Sequence, residues 1–150
     1  MEMLLTVIVT WLSINFALPA TYEHPQVKFS DRVQMLAVRI AALPDKEARQ
    51  AAAQGLFDGH NFHALYDDAS NTIHLSEKWS ATSPADVSIL VHEMVHHLQS
   101  AGGIIDECAE ARERLAYRAQ ARWLELLGTT LEAEFKVDPM TVFVRTNCWY

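Results

Sequence analysis

The chain has 150 residues, half of them hydrophobic, and a formal net charge of −7 at pH 7. This length is sufficient for one domain with a hydrophobic core. The acidic balance, without any basic cluster, argues against nucleic acid as a partner.

The first segment, residues 3–18, is mostly apolar and uncharged. Its short length and its content of Thr, Ser and Asn disfavour a transmembrane helix. Small residues at Ala17 and Ala20 suit a signal peptidase that cuts after Ala20, although Glu2 stands where such peptides carry Lys or Arg. We predict a signal peptide over residues 1–20, export of the protein, and no stable membrane span after cleavage. An uncleaved membrane anchor and a buried helix are the alternatives.

An extended lead-in and two helices are predicted next. Residues 21–29 form the lead-in, and Ser30 or Asp31 then caps the first helix. The apolar side of that helix holds Val33, Leu36, Ala37, Ile40 and Leu43, where the helix ends. A more polar helix is predicted over residues 46–54 and a loop over 57–62. Neither helix carries a catalytic signal.

A β-hairpin is predicted from residues 63–67 and 72–76, joined by a four-residue turn. Ile73 and Leu75 alternate with polar residues, which predicts one buried face. Zinc proteases often carry such a strand before the active-site helix, where an extended peptide adds as another strand. A purely structural hairpin is the alternative.

The next segment has the signals of a well-defined helix. Ser83 is a side-chain N-cap, Pro84 occupies the first helical position and Asp86 lies in the first turn. Gly102 and Gly103 follow the helix as residues suited to a left-handed cap. One face is apolar at helical spacing and consists of Val87, Leu90, Val91, Met94, Leu98 and Ala101.

On the same helix His92 and His96 are four residues apart, so their imidazoles can reach one metal ion. Glu93 is rotated by about 100° from His92, which places it beside the ion as a base and not as a ligand. Two His ligands, a Glu base and an open position for water are typical of zinc hydrolases. A helix with solvated histidines that match this motif by chance is the alternative. Four other histidines have no partner at ligand spacing: His24, His60, His63 and His74.

A catalytic zinc ion usually has a third protein ligand. Gln99 and Gly102 stand where the extended HExxHxxGxxH motif needs Gly and His, so that version is excluded. A long helix predicted over residues 107–127 offers a carboxylate instead, and its candidates are Glu107, Glu110 and Glu113.

Helical periodicity favours Glu113 among the three. Glu113 falls within the packing stripe formed by Ala109, Ala116, Tyr117, Gln120, Leu124 and Leu127, where a carboxylate is costly unless a cation satisfies it. A Glu113 that extends outward or pairs with an arginine is the alternative. Tyr117, one turn later, is a candidate donor to a developing oxyanion, although a core tyrosine is an equally simple explanation.

The C-terminal part contains both cysteines, Cys108 and Cys148. An even count in an exported chain predicts a disulfide, and two buried free thiols are the alternative. A short helix is predicted near residues 131–135. Beyond it, residues 139–144 fit either a helix or a strand.

Several stretches carry a resemblance to a known family. They are LVHEMVHHLQ at residues 90–99, Cys108, ERLAYRAQARWL at 113–124, YEHP at 22–25, and YDD at 66–68 through Trp79. With these, the chain resembles a family of short bacterial proteins described as a domain of unknown function, which looks like a minimal gluzincin metallopeptidase.

That resemblance implies His92 and His96 as metal ligands, Glu93 as the base and Glu113 as the third ligand. In the wider gluzincin pattern an acidic residue often follows the third ligand by four and supports a ligand histidine. Here that position is Tyr117, so we expect the support from Gln120 or from a backbone carbonyl.

Together these patterns predict an exported α+β protein with a small zincin-like core over residues 21–150, mostly helical with a β-hairpin before the active-site helix. The predicted activity is zinc-dependent hydrolysis of a peptide or protein substrate by a zinc-bound water that Glu93 activates. A zinc-binding sensor or binding module of the same fold, and a purely structural helical domain, are the alternatives.

Overall fold

The structure is a computed structural model that describes residues 1–21, 23–43, 45–46, 48–50 and 63–148. In chain order its elements are α1 (Glu2–Phe16), β1 (Gln26–Ser30), α2 (Arg32–Ala41), β2 (Ala64–Asp67), β3 (Thr72–Ser76), α3 (Pro84–Ala101), α4 (Ala109–Leu126), α5 (Leu131–Phe135) and α6 (Pro139–Thr146). The fold is therefore α+β and mostly helical, as predicted. The predicted loop over 57–62, and residues 47 and 51–54 of the predicted polar helix, lie outside the described residues.

The chain divides into two compact units. One consists of Met1–His24 with Ser80–Tyr150, and the other of Pro25–Trp79. The first unit contains the predicted zinc ligands, and the second contains the sheet and α2. Among the helices that the structure describes, none is long and apolar enough to cross a membrane.

The sheet has three strands in the order β1-β3-β2. The predicted hairpin is confirmed, because β2 and β3 pair antiparallel, and Asn71 in their turn has a left-handed φ of 50°. Strand β1, which lies in the predicted lead-in, pairs parallel with β3. This pairing was not predicted, because a strand of five residues has no local signal for a partner 46 positions away.

Strand β3 is thus the central strand, and the prediction that only one of its faces is buried is wrong. Four of its residues are buried, Thr72 to Leu75, so both faces are covered instead of one. The polar member His74 is accommodated because its Nδ1 shares a hydrogen bond of 2.9 Å with Ser30 Oγ. Since both edges of β3 are already paired, an added peptide strand could pair only with β1 or β2.

Helix α2 begins as predicted but turns a different face inward. Asp31 accepts a hydrogen bond from the Gln34 backbone N–H, and the Gln34 side chain accepts one from the Asp31 N–H, which forms a capping box. Met35 is the buried residue at 2% exposure, whereas Val33, predicted on the apolar side, is 74% exposed. The helix ends at Ala41, two residues before the predicted end.

Helix α1 contributes to the core of the first unit. Its buried residues, Leu5, Ile8, Val9 and Leu12, are each 0% exposed. The helix contacts α3, and the ring of Trp11 meets that of Trp123 edge-on with centroids 5.0 Å apart. Such packing is what the buried-helix interpretation predicts for this segment, whereas the signal peptide stays a prediction.

Helix α3 carries the histidine motif and begins as predicted. Ser83 Oγ accepts a hydrogen bond from the Asp86 backbone N–H at 3.2 Å, and Pro84 follows the cap. At the other end Gly103 has a left-handed φ of 61°, but Gly102 does not. Gly102 is needed for another reason, because a Cβ atom there would lie 2.8 Å from Cγ of Pro19.

The burial of α3 is not confined to the predicted apolar face. Every residue from 87 to 99 is buried, and Ala101, predicted on the packing face, is exposed. His92, Glu93 and His96 are 8%, 9% and 7% exposed. The polar side chains of the motif therefore need partners inside the protein.

The C-terminal helices are joined to the start of α4. Cys108, the N-cap residue of α4, forms a disulfide with Cys148, which confirms the predicted pairing. The bond closes a loop across a sequence separation of 40, worth about 3–4 kcal/mol in the chain-entropy model.

Helix α5 has the predicted position, and α6 is a helix and not a strand because Asp138 caps it and Pro139 opens it. Leu127, predicted in the core, is 52% exposed beyond the end of α4.

Candidate metal centre

Three predicted ligands lie together between α3 and α4. His92 Nε2 is 3.0 Å from Glu113 Oε2, and His96 Nε2 is 3.2 Å from Glu113 Oε1. Donor atoms from the three residues all lie within 4.8 Å of one another. Glu107 and Glu110, the other candidates, are exposed on the first turns of the predicted helix and are not part of this group.

The Nδ1 atom of His96 is held by a hydrogen-bond chain that begins on its own helix. Gln99 donates from Nε2 to the backbone carbonyl of Arg112 at 3.2 Å, and its Oε1 lies 3.1 Å from His96 Nδ1. A carbonyl can only accept, so this contact determines which end of the amide faces His96. The amide oxygen also only accepts, and therefore His96 Nδ1 carries the proton.

A second chain of the same kind holds His92. Ser88 donates its hydroxyl to the Ala85 carbonyl at 2.7 Å and accepts from Gln120 Nε2 at 3.2 Å. Gln120 Oε1 then faces His92 Nδ1 at 3.0 Å. Because the Ser88 proton is committed to a carbonyl, the Gln120 amide has one orientation, and His92 Nδ1 is also a donor. Gln120 thus supplies the support that the sequence left open.

These two chains make the site suitable for a metal ion. With Nδ1 protonated, a neutral imidazole has its lone pair on Nε2, and in both histidines Nε2 lies beside the same carboxylate, Glu113; a proton on Nε2 instead makes a hydrogen bond to that carboxylate. Three such groups facing one another could hold a metal ion. Two imidazoles and a carboxylate, with a fourth position left for water or substrate, are the ligand set of catalytic zinc.

The electrostatics of the site agree with this interpretation. Burial by itself would raise the pKa of the Glu113 carboxyl, but hydrogen bonds from His92 and His96 outweigh it and hold that pKa well below its usual range. Burial would likewise lower the pKa of His96, but the hydrogen bond and charge of Glu113, with the charge of Glu93, raise it. The space between these groups therefore favours positive charge.

The two predicted catalytic residues accompany this group. Glu93 directly follows His92 and lies close enough to His96 for its charge to act on that imidazole. Tyr117 lies one turn beyond Glu113 on α4, and its ring meets that of His92 edge-on with centroids 5.0 Å apart. The neighbouring His97 is not part of the group. Its ring makes a hydrogen bond with the backbone of Glu23, and burial lowers its pKa.

Comparison with known proteins gives one result. A family model described as Domain of unknown function (DUF6647) matches residues 1–150. The chain belongs to the DUF6647 family. No curated protein and no solved structure matches it significantly. The matched region of this DUF6647 domain includes α1 as well as both helices of the candidate metal centre.

The roles of two residues at the site of this DUF6647 domain, Gln99 and Arg145, were not predicted from the sequence. Gln99 follows His96 by three residues on the same side of α3, so helical spacing could have suggested its contact. Arg145 donates from Nη1 to the Tyr117 hydroxyl at 2.9 Å, and no local signal could have indicated this contact across 28 positions.

Proposed function

We propose that this DUF6647 domain is a zinc-dependent metallopeptidase of the gluzincin kind that acts on peptide or protein substrates. The convergence of His92 Nε2 and His96 Nε2 on the two carboxylate oxygens of Glu113, at 3.0 and 3.2 Å, carries the proposal. These three residues would hold the zinc ion. Zinc bound there supplies Lewis acidity that polarises a scissile carbonyl and lowers the pKa of water.

The residues around the ligands have separate tasks in this proposal. Glu93 removes a proton from the attacking water and delivers it to the leaving amine. Tyr117 donates its hydroxyl proton in a hydrogen bond to the developing oxyanion. Gln99 and Gln120 hold the imidazoles in the tautomer that leaves Nε2 free.

The exposure of Glu113 supports the access of a substrate to the site. The Glu113 side chain is 35% exposed, compared with 11% for His92 and 9% for His96. The group is therefore covered on the α3 side and open beside Glu113. A substrate would approach along α4, past Glu113 and Tyr117.

We also propose that the protein is exported. The disulfide between Cys108 and Cys148 supports this, because such bonds persist in oxidising compartments and are rare in the cytosol. The acidic overall charge is compatible with a peptide substrate and unfavourable for nucleic acid.

A zinc-binding sensor or binding module is the second candidate, and the low exposure of α3 favours it. Glu93 is 9% exposed, which restricts the water that a general base must reach. Structural zinc sites are closed, whereas catalytic sites keep an open position. The two candidates differ only in whether Glu93 performs chemistry.

The test compares wild-type protein with Glu93→Gln and with Glu110→Gln as a matched control on the exposed part of α4. Zinc content is measured by elemental analysis, and cleavage is measured with a fluorogenic peptide library. Glu93→Gln should retain zinc and lose hydrolysis by about three orders of magnitude or more, because it removes the base and no ligand. Glu110→Gln should retain both.

Each other outcome has a definite meaning. Unchanged turnover of Glu93→Gln at full zinc occupancy would reject the peptidase mechanism. Zinc binding by the wild type without cleavage of any library member would favour the sensor or binding module. A wild type that binds no zinc would leave a purely structural helical domain as the remaining interpretation.

A further inference from the structure

Helix α6 is held against α4, the helix that carries Glu113, by three contacts. The disulfide joins Cys148, two residues after α6, to Cys108 at the start of α4. Arg114 Nη2 donates to the backbone carbonyl of Thr146 at 3.1 Å. Arg145 Nη1 donates to the Tyr117 hydroxyl at 2.9 Å. The C-terminal helix is thus fixed beside the candidate metal centre.

In the contact between Arg145 and Tyr117, the donor is a charged guanidinium and the acceptor is a neutral hydroxyl. Arg145 is exposed and forms no ion pair with any carboxylate in the part of the chain that the structure describes. Its positive charge acts on the phenol through the hydrogen bond to the Tyr117 hydroxyl. A hydroxyl oxygen that accepts from a cation becomes a stronger donor through its own proton, because hydrogen bonds in a chain polarise one another.

The same contact limits the directions in which Tyr117 can donate. A guanidinium has only donors, so the phenol proton cannot point at Arg145. The Tyr117 ring is meanwhile fixed against the imidazole of His92, with an interplanar angle of 85°. The Tyr117 side chain is therefore held at two points, its ring by His92 and its hydroxyl by Arg145 on α6.

We propose that Arg145 is a positioning residue that orients Tyr117 and strengthens it as a hydrogen-bond donor to the oxyanion of the substrate. This inference rests on the proposed function. It makes α6 part of the active site and gives the disulfide a role there, since the bond holds the end of α6 that carries Arg145. The other task open to an exposed arginine is direct binding of a substrate carboxylate, and a double-mutant cycle separates the two.

The variants are Arg145→Gln, Arg145→Lys, Tyr117→Phe and the double variant Arg145→Gln/Tyr117→Phe. Arg118→Gln is the matched control, because Arg118 is exposed on α4 next to Tyr117. All are loaded with zinc and assayed on one fluorogenic peptide that the wild type cleaves. Thermal unfolding shows that each variant is folded, and competition with a chelator gives its zinc affinity.

An oxyanion donor acts in the transition state, so kcat should fall while KM changes little. Tyr117→Phe should lower kcat about 100-fold, as the loss of such a donor does. Arg145→Gln should lower kcat roughly tenfold, in line with residues that support a catalytic group, and Arg145→Lys should recover part of this loss. In the Tyr117→Phe background, Arg145→Gln should have less than about a twofold effect, because its target is gone.

A second measurement does not depend on turnover. A peptide phosphonate carries a tetrahedral anion, and calorimetry gives its affinity for the zinc-loaded protein. Arg145→Gln and Tyr117→Phe should weaken this affinity together, and the double variant should match Tyr117→Phe alone. Arg118→Gln should bind the phosphonate and cleave the peptide as the wild type does.

Three results would overturn the inference while the proposed function stands. In the first, Arg145→Gln has the same effect with and without the Tyr117 hydroxyl, which would mean that Arg145 binds substrate directly. In the second, Arg145→Gln loses zinc affinity in proportion to activity, which would mean a structural role. In the third, Arg145→Gln cleaves the peptide as fast as an active wild type does. A wild type that holds zinc and cleaves no peptide would overturn the proposed function, and this inference with it.

Discussion

Gln120 Oε1 accepts a hydrogen bond from His92 Nδ1 at 3.0 Å, although the two residues lie 28 positions apart on different helices. His96 has the same kind of partner in Gln99. Both imidazoles are thus supported by neutral amides and not by carboxylates. A neutral partner fixes the tautomer without adding negative charge, so Glu113 and Glu93 supply the negative charge beside the two imidazoles.

Replacement of Gln120 tests this arrangement. Gln120→Leu removes the acceptor for His92 Nδ1 and should lower zinc affinity roughly tenfold, as loss of a partner of a ligand histidine does. Gln120→Glu keeps an acceptor and should hold zinc at least as tightly as the wild type, because a carboxylate raises the basicity of the ligand. Competition with a chromogenic chelator measures both. Equal affinities for wild type and Gln120→Leu would show that the contact does not support the ligand.

Removal of the third ligand provides a sharper comparison. Glu113→Ala should lose most of the zinc affinity, because Glu113 is the carboxylate that both Nε2 atoms face. Glu110→Ala removes an exposed carboxylate three residues earlier on the same helix and should leave the affinity unchanged. Zinc titration against a chelator distinguishes them. If Glu110→Ala abolished binding and Glu113→Ala did not, the assignment of the third ligand would be wrong.

Zinc affinity should rise with pH across the neutral range. Burial opposes the charged form of His96, but Glu113 and Glu93 outweigh it and raise its pKa, so the proton persists to higher pH than on an ordinary histidine. Zinc must displace that proton, and affinity should increase by up to about tenfold per pH unit until the raised pKa is passed. The pKa of Glu113 lies far below this range, so Glu113 stays ionised and contributes no slope.

Chelator competition between about pH 6 and 8, on either side of the ordinary histidine pKa, measures this slope. Glu93→Gln removes one of the charges that raise the pKa of His96, so its affinity should level off at lower pH than that of the wild type. An affinity that does not change over this range would contradict the proton competition.

Two isoleucines of α1 test whether this helix belongs to the folded domain. Ile8 is 0% exposed and Ile14 is 77% exposed on the same helix. Ile8→Ala should lower the free energy of unfolding by about 2–5 kcal/mol, whereas Ile14→Ala should change it by less than about 0.5 kcal/mol. Denaturant unfolding of the full chain measures both. Equal effects of the two substitutions would show that α1 does not pack as described.

Local signals in the sequence determined where several helices begin and how the candidate ligands are spaced. The capping residues Asp31 and Ser83 and the helix-opening prolines Pro84 and Pro139 act within a single turn, so the starts of their helices follow from a few residues. The spacing of His92 and His96, and the preference for Glu113, follow from helical periodicity alone. These predictions needed no knowledge of what surrounds each helix.

The tertiary structure decided the rest. It determined that β1 pairs with β3, that α3 is buried on every side, and that α1 packs into the core. It also determined the contacts made by Gln120 and Arg145. Each of these depends on which distant segments meet, and that choice is made by the packing of the whole chain because hydrophobic burial is non-directional and leaves no short-range pattern in the sequence.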